Sequence, residues 1–173
     1  MQEALRPPSG PHHYWGLGGL LGFLYSFLRY ATFGAGGRLF VHRTSGMHIK
    51  TFPGLKYKSC YTTPSAGFAP NTTIVDEVAA VPLDTYMKGS MANMRRAYAN
   101  LYMVSTALFP AAGLVGRRMA VTGTLSGKNL YQVFCVFSAA NNRKIIATAT
   151  WLASDGTKYV APANTAMKTF KLQ

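Results

Sequence analysis

Residues 123–128, GTLSGK, form the segment of this sequence that comes nearest to a known reactive motif. A phosphate-binding loop of the P-loop type needs a glycine five positions before its Gly-Lys pair and a serine or threonine directly after the lysine. Thr122 and Asn129 occupy those two positions, so the motif fails at both ends. We therefore expect this segment to form a hairpin turn.

Cysteine, histidine and carboxylate side chains could act as nucleophiles, metal ligands or acid–base groups, but their number and spacing predict none of these roles. The four histidines have no Cys, Asp or Glu at metal-ligand spacing. Five carboxylates in 173 residues leave little for a pair of acids or for an orienter of a catalytic base. Cys60 and Cys135 lie far apart, which favours two free or buried thiols and leaves a single disulfide open. We predict that the protein is not an enzyme and has no catalytic residue, metal site, cofactor or small-molecule substrate.

Basic residues dominate the charge of the chain. Lys and Arg number 18 against 5 Asp and Glu, a formal net charge of +13, and the 49% share of hydrophobic residues excludes wholesale disorder. No basic run exceeds two residues, and the pairs Arg95-Arg96 and Arg117-Arg118 flank an uncharged segment. This placement suits anionic lipid headgroups, cardiolipin-like lipids among them, and it also suits the phosphates of RNA.

Residues 14–28 are apolar and rich in glycine, and Arg29 follows them. This length is short for a bilayer crossing of about 20 residues, although the uncharged residues before it and a snorkelling Arg29 extend it to a marginal span. Gly18 and Gly22 have the small-xxx-small spacing that lets two helices approach closely in lipid. We predict a membrane-associated or transmembrane helix at residues 14–31, with a buried or amphipathic segment of a soluble protein as the alternative.

A second helix is predicted over residues 84–116, with Asp84 as its N-cap. Residues 97–116 carry no charge, match the thickness of a bilayer core and have arginine pairs at both ends. Pro110 would kink the helix, which is tolerated in a membrane when neighbouring groups satisfy the freed carbonyl. We predict a transmembrane helix from residue 97, and a buried helix in a soluble complex would have a similar sequence.

Strand signals dominate the last third of the chain, where runs rich in Val, Ile, Thr, Phe and Tyr alternate with Gly, Asn and Asp. Residues 154–157, SDGT, suit a hairpin turn, and we predict a four-stranded antiparallel meander over residues 117–161. Residues 32–83 are heavy in Gly, Pro, Ser and Thr. A structureless loop of that length is uncommon in a compact domain, so we expect it to wrap over other proteins.

The predicted fold class is α+β, with one or two membrane-associated or transmembrane helices, a long extended wrapping segment and a C-terminal four-stranded antiparallel β-meander. The predicted organisation is an extended lead-in (1–13), an apolar membrane helix (14–31), a wrapping segment (32–83), a helix that is transmembrane from residue 97 (84–116), a meander (117–161) and a docking tail (162–173).

These elements predict a non-catalytic accessory subunit, for scaffolding or assembly, of a large membrane complex that transduces energy. We expect a mitochondrial respiratory-chain complex or ATP synthase in the inner membrane, with other protein subunits and anionic lipids as partners. The alternative is a basic RNA-contacting protein of an organellar ribosome or other ribonucleoprotein, and an all-β capsid-like or secreted domain is disfavoured by the apolar run near the N-terminus. Predicted contacts with lipid headgroups or phosphate fall at Arg29, Arg95, Arg96, Arg117 and Arg118, and predicted helix–helix packing at Gly18 and Gly22.

Overall fold

The computed structural model of the chain describes residues 48–52, 55–57, 59–64 and 66–168. The predictions for residues 1–31, including those for Gly18, Gly22 and Arg29, lie outside the described residues. Within them the chain forms seven strands and two α-helices. In chain order these are β1 (His48–Lys50), β2 (Ser59–Tyr61), β3 (Asn71–Val78), α1 (Leu83–Ala97), β4 (Ala99–Leu108), β5 (Val115–Leu125), β6 (Lys128–Ser138), β7 (Arg143–Leu152), a short 3-10 helix (Ala153–Asp155) and α2 (Val160–Lys168).

All seven strands belong to one antiparallel sheet with the order β1-β2-β3-β7-β6-β5-β4. Strands β4 to β7 are neighbours both in sequence and in space. The other side of β7 is occupied by β3, which pairs with it over the whole of Asn71–Val78. The predicted α+β architecture with membrane helices is therefore wrong, and so is the extended wrapping segment from residue 48 onward, because β1, β2 and β3 are part of the sheet.

The predicted transmembrane helix at residues 97–116 is also wrong. Helix α1 ends at Ala97, Tyr98 is extended, and Asn100 has a φ of 54°, which a right-handed helix cannot contain. The uncharged stretch after it forms the edge strand β4, a turn at residues 109–114 and the start of β5. None of the helices in the described part of the chain has the length and hydrophobicity to cross a membrane.

The predicted strand after residue 157 is wrong as well. The place beside β7 that it would occupy is taken by β3, so the chain turns away from the sheet instead. The indole Nε1 of Trp151 donates a hydrogen bond of 2.9 Å to the carbonyl of Gly156, and the ring of Tyr159 packs on the Trp151 ring. These contacts direct the chain into helix α2, which covers the sheet.

The hairpin turn predicted for residues 123–128 is confirmed. Leu125 pairs with Lys128 across a two-residue loop, in which Ser126 and Gly127 have φ values of 49° and 75°. Two consecutive positive φ values are typical of the type I′ turn, whose twist matches that of paired strands. The turn thus closes β5 onto β6 and contains no phosphate-binding loop.

The two helices cover opposite faces of the sheet. On one face, Met91 and Met94 of α1 pack with Val121 and Phe134. On the other face, Met167 of α2 belongs to a larger cluster of buried side chains around the fully buried ring of Phe137. Because β6 lies in the middle of the sheet and is covered on both faces, its sequence is almost continuously apolar instead of alternating.

Candidate functional site

The face of the sheet that carries α1 is only partly covered by that helix. Beyond the end of α1 lies a cavity of about 550 Å³, within the range of pockets that bind small molecules. Its floor is formed by Thr73 of β3, Thr150 of β7 and Gln132 of β6, and Tyr98 closes one side. These residues come from strands that are adjacent in the sheet but distant in the sequence.

A chain of hydrogen bonds runs along this floor. The Tyr98 hydroxyl donates to Oε1 of Gln132 at 2.7 Å, and Nε2 of Gln132 donates to the Thr150 hydroxyl at 2.9 Å. All three side chains are buried, and burial raises the pKa of Tyr98 to about 12, although its hydrogen bond to Gln132 acts in the opposite direction. Tyr98 therefore remains a protonated donor at neutral pH, which orients the Gln132 amide.

Thr73 lies on the same floor and differs from these three residues. Its Oγ1 is buried, and no described residue forms a hydrogen bond with it. The same holds for the hydroxyl of Thr148, its neighbour across β3 and β7, which is fully buried but does not line the cavity. A buried hydroxyl without a partner is costly, so these two positions are unusual in a folded core.

The walls of the cavity are apolar and aromatic, and its charged side chains are basic. Phe52, Phe68 and Leu125 line it, together with Lys50 and Lys128. The Nζ of Lys50 lies 5.5 Å from the centre of the Phe52 ring. On the other side of the cavity, the Lys128 ammonium lies close to the loop that contains Gly67. A Cβ added to Gly67 would be 3.5 Å from the Lys128 Nζ. No carboxylate is among the described residues that line the cavity.

The carboxylates of the described residues lie elsewhere. Asp76 is paired with Lys56 and Arg143, and burial, which would raise the pKa of Asp76, is outweighed by these two partners, so that the pKa is lowered. Glu77 accepts a hydrogen bond from the Tyr86 hydroxyl, 2.6 Å away. Because these acids are held outside the cavity, its electrostatic potential is set by lysines.

The arginines predicted to contact headgroups or phosphate fall into two groups. Arg95 and Arg96 lie in the last turn of α1 and are exposed. Arg117 forms a two-pronged salt bridge with Asp84, with distances of 2.8 and 3.1 Å. Arg118 is buried and donates hydrogen bonds to Asn164 and Ser105. They do not flank a membrane helix, because that helix does not exist, and their contact with lipid or RNA stays a prediction.

Both cysteines are free and buried, which confirms the sequence-based prediction of two buried or free thiols. Burial raises the pKa of the Cys60 thiol. Burial also raises the pKa of Cys135 to about 12, against a smaller opposing effect of Arg118. Neither thiol has the lowered pKa that a reactive cysteine requires.

A second surface stands out at the edge of the sheet, where β4 has no described strand on its outer side. Nine of the ten β4 residues are exposed, and none of the ten is charged. Tyr102, Val104 and Leu108 are among its large exposed side chains, with Leu108 and Tyr102 each about two-thirds exposed at 67% and 68%. Its pairing with β5 is irregular up to Ser105 and regular over Ser105–Leu108.

Comparison with known proteins identifies the fold but no family. No protein-family model matches the sequence, and no curated protein matches it. Among solved structures, the chain is similar to LpqN of Mycobacterium tuberculosis, described as involved in cell envelope biogenesis, with a TM-score of 0.63 and 8% identity over 80% of this chain and 84% of that one. It is also similar to PA94 of Pseudomonas aeruginosa, a putative regulator of unknown function, with a TM-score of 0.56 and 12% identity over 77% and 96% of the two chains.

A third similar structure is the cyanobacterial PsbP of Synechocystis sp. PCC 6803, with a TM-score of 0.54 and 6% identity over 83% of this chain and 98% of that one. At these identities the similarity shows the fold alone. The predicted transmembrane character and the predicted assignment to the mitochondrial respiratory chain are wrong, as is the predicted location in the mitochondrial inner membrane. That location depended on a membrane helix at residues 97–116, which instead form β4, a turn and the start of β5, and the similar folds belong to a mycobacterial protein involved in cell envelope biogenesis and to a cyanobacterial PsbP.

Sequence reasoning missed the cavity and its floor. The only local signal was Gln132, a polar residue inside the apolar run LYQVFCVF, where a side chain must find a buried partner. Nothing near it in sequence indicates that Tyr98 and Thr150 are those partners. The β4 edge, which no described strand covers, was missed because its uncharged residues were assigned to a helix.

Proposed function

We propose that the protein is a non-catalytic accessory protein that joins a larger assembly by adding strand β4 to the edge of a partner protein's sheet. The observation that carries this proposal is the exposure of nine β4 residues in a strand without a single charge. An unpaired edge strand presents a row of backbone N–H and C=O groups that can pair with another strand.

Proteins normally protect such an edge with lysines, prolines, inward-pointing charges or a covering segment. Bulges are another protection, and the register shifts between Ala99 and Ser105 twist the first half of β4 away from regular pairing. The second half, Ser105–Leu108, has neither bulge nor charge nor proline. A partner strand would therefore pair along this second half.

Charge favours an acidic partner over a second copy of this chain. Arg95 and Arg96 are exposed just before β4 and form no salt bridge with a described residue, whereas Arg117, opposite Leu108 at the other end of the strand, is paired with Asp84. In an antiparallel pair of two identical β4 strands, this arginine pair would face the Arg117–Asp84 ion pair of the other copy, which has no net charge to attract it. Asp or Glu at the end of a partner strand, placed beside Arg95 and Arg96, would attract them and favour association.

Site-specific photo-cross-linking tests this proposal in the cells that make the protein. A photoreactive benzoylphenylalanine at Tyr102 in the full chain should give one cross-linked protein, joined through a β-strand that has Asp or Glu at its ends. The same group at Val81, an exposed apolar residue before α1 and 40% accessible, should not give this product. Adding Leu108→Lys to the Tyr102 probe should abolish it, because a lysine on an edge strand blocks pairing.

The cross-linked species decides between partners. A product with RNA would support the alternative of a ribonucleoprotein component and overturn the proposal. A product with a second copy of the chain would replace the acidic partner by a homodimer. The proposal also fails if the product forms equally from Val81, or if it persists undiminished with Leu108→Lys.

A further inference from the structure

The cavity beside Tyr98 does not depend on the edge strand and needs a separate explanation. Its volume of about 550 Å³ is much larger than the space left by ordinary packing defects, which rarely exceed the size of a water molecule. Aromatic side chains contributed by residues before β3 form one wall, and the hairpin between β5 and β6 contributes Leu125 and Lys128 to the other. An apolar space of this size that is reached from the surface is typical of a ligand site.

The floor of the cavity supplies hydrogen-bond donors. Tyr98 donates to Gln132, and Gln132 donates to Thr150, so the hydroxyl proton of Thr150 is the end of the chain. The Thr73 hydroxyl adds a second group on the same floor, and no described residue accepts its proton. A ligand oxygen that accepts a hydrogen bond would satisfy these groups, whereas a purely apolar ligand would leave them unpaired.

The charged side chains that line the cavity indicate the charge of its ligand. Lys50 lines the cavity from β1 and Lys128 lines it from β6, and three other strands separate β1 from β6 in the sheet. The cavity is therefore basic on both sides. Among the described residues, the salt bridges formed by Asp76 and Asp84 involve other cations. The formal net charge of +13 adds to the attraction of anions toward this face.

We propose that this cavity binds an amphipathic anion: a single apolar chain or ring system that carries one carboxylate or phosphate group. The apolar body packs against Phe52 and Phe68, the anionic group is attracted by Lys50 and Lys128, and one of its oxygens accepts a hydrogen bond from Thr73 after that side chain rotates its buried hydroxyl into the cavity. A fatty acid and a single-chain phosphate ester share this chemistry.

Binding of C10 amphiphiles to the full-length protein, followed by calorimetry below their micelle-forming concentrations, tests the chemistry of the ligand. Decanoate and decyl phosphate should bind, and the tighter of the two identifies the head group. Decanol, which lacks the charge, should bind at least about tenfold more weakly, since two charge contacts are lost and each contributes only modestly at an accessible site. Decyltrimethylammonium and inorganic phosphate should not bind. Equal binding of decanol and decanoate would overturn the anionic preference, and binding of neither acid would overturn the proposal.

A charge-neutral variant locates the anionic group. Lys50→Gln combined with Lys128→Gln should weaken decanoate binding about tenfold. The matched control is Lys88→Gln combined with Lys158→Gln, which removes the same total charge from two exposed lysines that do not line the cavity. The control should bind within about twofold of the original chain. An equal loss in both variants would attribute the attraction to net charge alone and would overturn a role for the cavity lysines.

Thr73→Val tests the floor and separates binding from folding. This substitution replaces a buried, unpaired hydroxyl by a methyl group of similar shape, so the variant should be more stable than the original chain and should bind decanoate about fivefold more weakly. Thr148→Val is the matched control, because its hydroxyl is also buried and unpaired but lies outside the cavity lining. It should gain stability without losing affinity. Unchanged affinity in Thr73→Val would show that the ligand does not reach the floor and would overturn this placement.

Discussion

Gly116, near the start of β5, is the position where one added methyl group should do the most damage. A Cβ built there would overlap the carbonyl oxygen of Phe109 and would lie 2.5 and 2.7 Å from Cδ1 and Cε1 of Phe137. Neither neighbour can move away easily, because Phe109 and Phe137 are both buried and their rings pack at a centroid distance of 6.3 Å. The Phe109 carbonyl also belongs to a backbone segment held by the hydrogen bond from the Phe109 N–H to the Gly116 carbonyl, at 2.9 Å.

The cost of Gly116→Ala follows from these contacts. Overpacking a core typically costs about 1–3 kcal/mol. Weakening the Phe109–Gly116 hydrogen bond adds about 1 kcal/mol. Alanine lowers the conformational entropy of the unfolded chain, which offsets about 0.4–1 kcal/mol of this loss of stability. We expect a net loss of about 1–3.6 kcal/mol, a large share of the roughly 5–15 kcal/mol that stabilises a domain.

Urea unfolding followed by far-ultraviolet circular dichroism measures this loss. Gly89→Ala is the matched control, because Gly89 lies inside α1 and a Cβ there would meet no atom within 4 Å. Alanine in a helix interior is about 1 kcal/mol more favourable than glycine, so the control should be more stable than the original chain. The reasoning is refuted if Gly116→Ala unfolds within about 0.5 kcal/mol of the original chain, a difference typical of neutral surface substitutions.

Three further predictions concern buried or half-buried polar groups. Tyr98→Phe should lower the free energy of unfolding by about 1–3 kcal/mol in urea titrations, because the buried Gln132 amide loses its donor, whereas Tyr102→Phe on the exposed edge should change it by less than about 0.5 kcal/mol. The ion pairs of Asp76 lower its pKa in the folded state, so they contribute stability at pH values above its ordinary pKa of 3.8, and this stability is lost as the pH falls through the folded pKa. The difference in unfolding free energy between the original chain and Asp76→Asn should therefore become smaller in acid. A difference that becomes larger in acid would contradict the assigned partners. Cys135 should resist a thiol reagent at pH 8 in the folded chain and react in urea, and rapid native reaction would contradict its burial.

The strands at the centre of the sheet are the part of the fold that local sequence reasoning predicts best. β5, β6 and β7 combine β-branched and aromatic residues with turn residues between them, and the turns are closed by consecutive positive φ values at Ser126-Gly127 and Asn141-Asn142. These features depend only on residues close in sequence. Hairpins of this kind can be identified without knowing what packs on them.

The failures come from information that is not local. Residues 97–116, which include β4, carry no charge, and their number and hydrophobicity resemble those of a membrane helix when counted without regard to geometry. The positive φ at Asn100 and the contact of Tyr98 with Gln132 end the helix, and neither can be deduced from a hydrophobicity count. Likewise, the Asp-Gly turn after β7 could not become a hairpin because β3, more than 60 residues earlier, already occupies that place.

The cavity depends on the same long-range pairing. Thr73, Gln132 and Thr150 meet only because β3 pairs with β7 and β7 pairs with β6. In addition, α1 must end at Ala97 for the floor beyond it to remain open. A sequence shows each residue as an isolated polar side chain in an apolar strand, and its partner becomes identifiable only when the strand order is known.

The shortage of acid in the sequence has a structural consequence that a net charge does not express. Of the carboxylates in the described residues, Asp76 holds two cations and Asp84 holds one, so these acids neutralise basic side chains outside the cavity. The basic residues that they do not reach include Lys50 and Lys128 beside the cavity and Arg95 and Arg96 beside β4. Both proposed binding surfaces are therefore basic for the same reason, and both should select anionic partners. The partner of the cavity is a small amphiphile, and the partner of the β4 edge is an acidic strand. Their tests remain separable because the cavity lysines lie on β1 and β6, whereas the edge substitutions lie on β4.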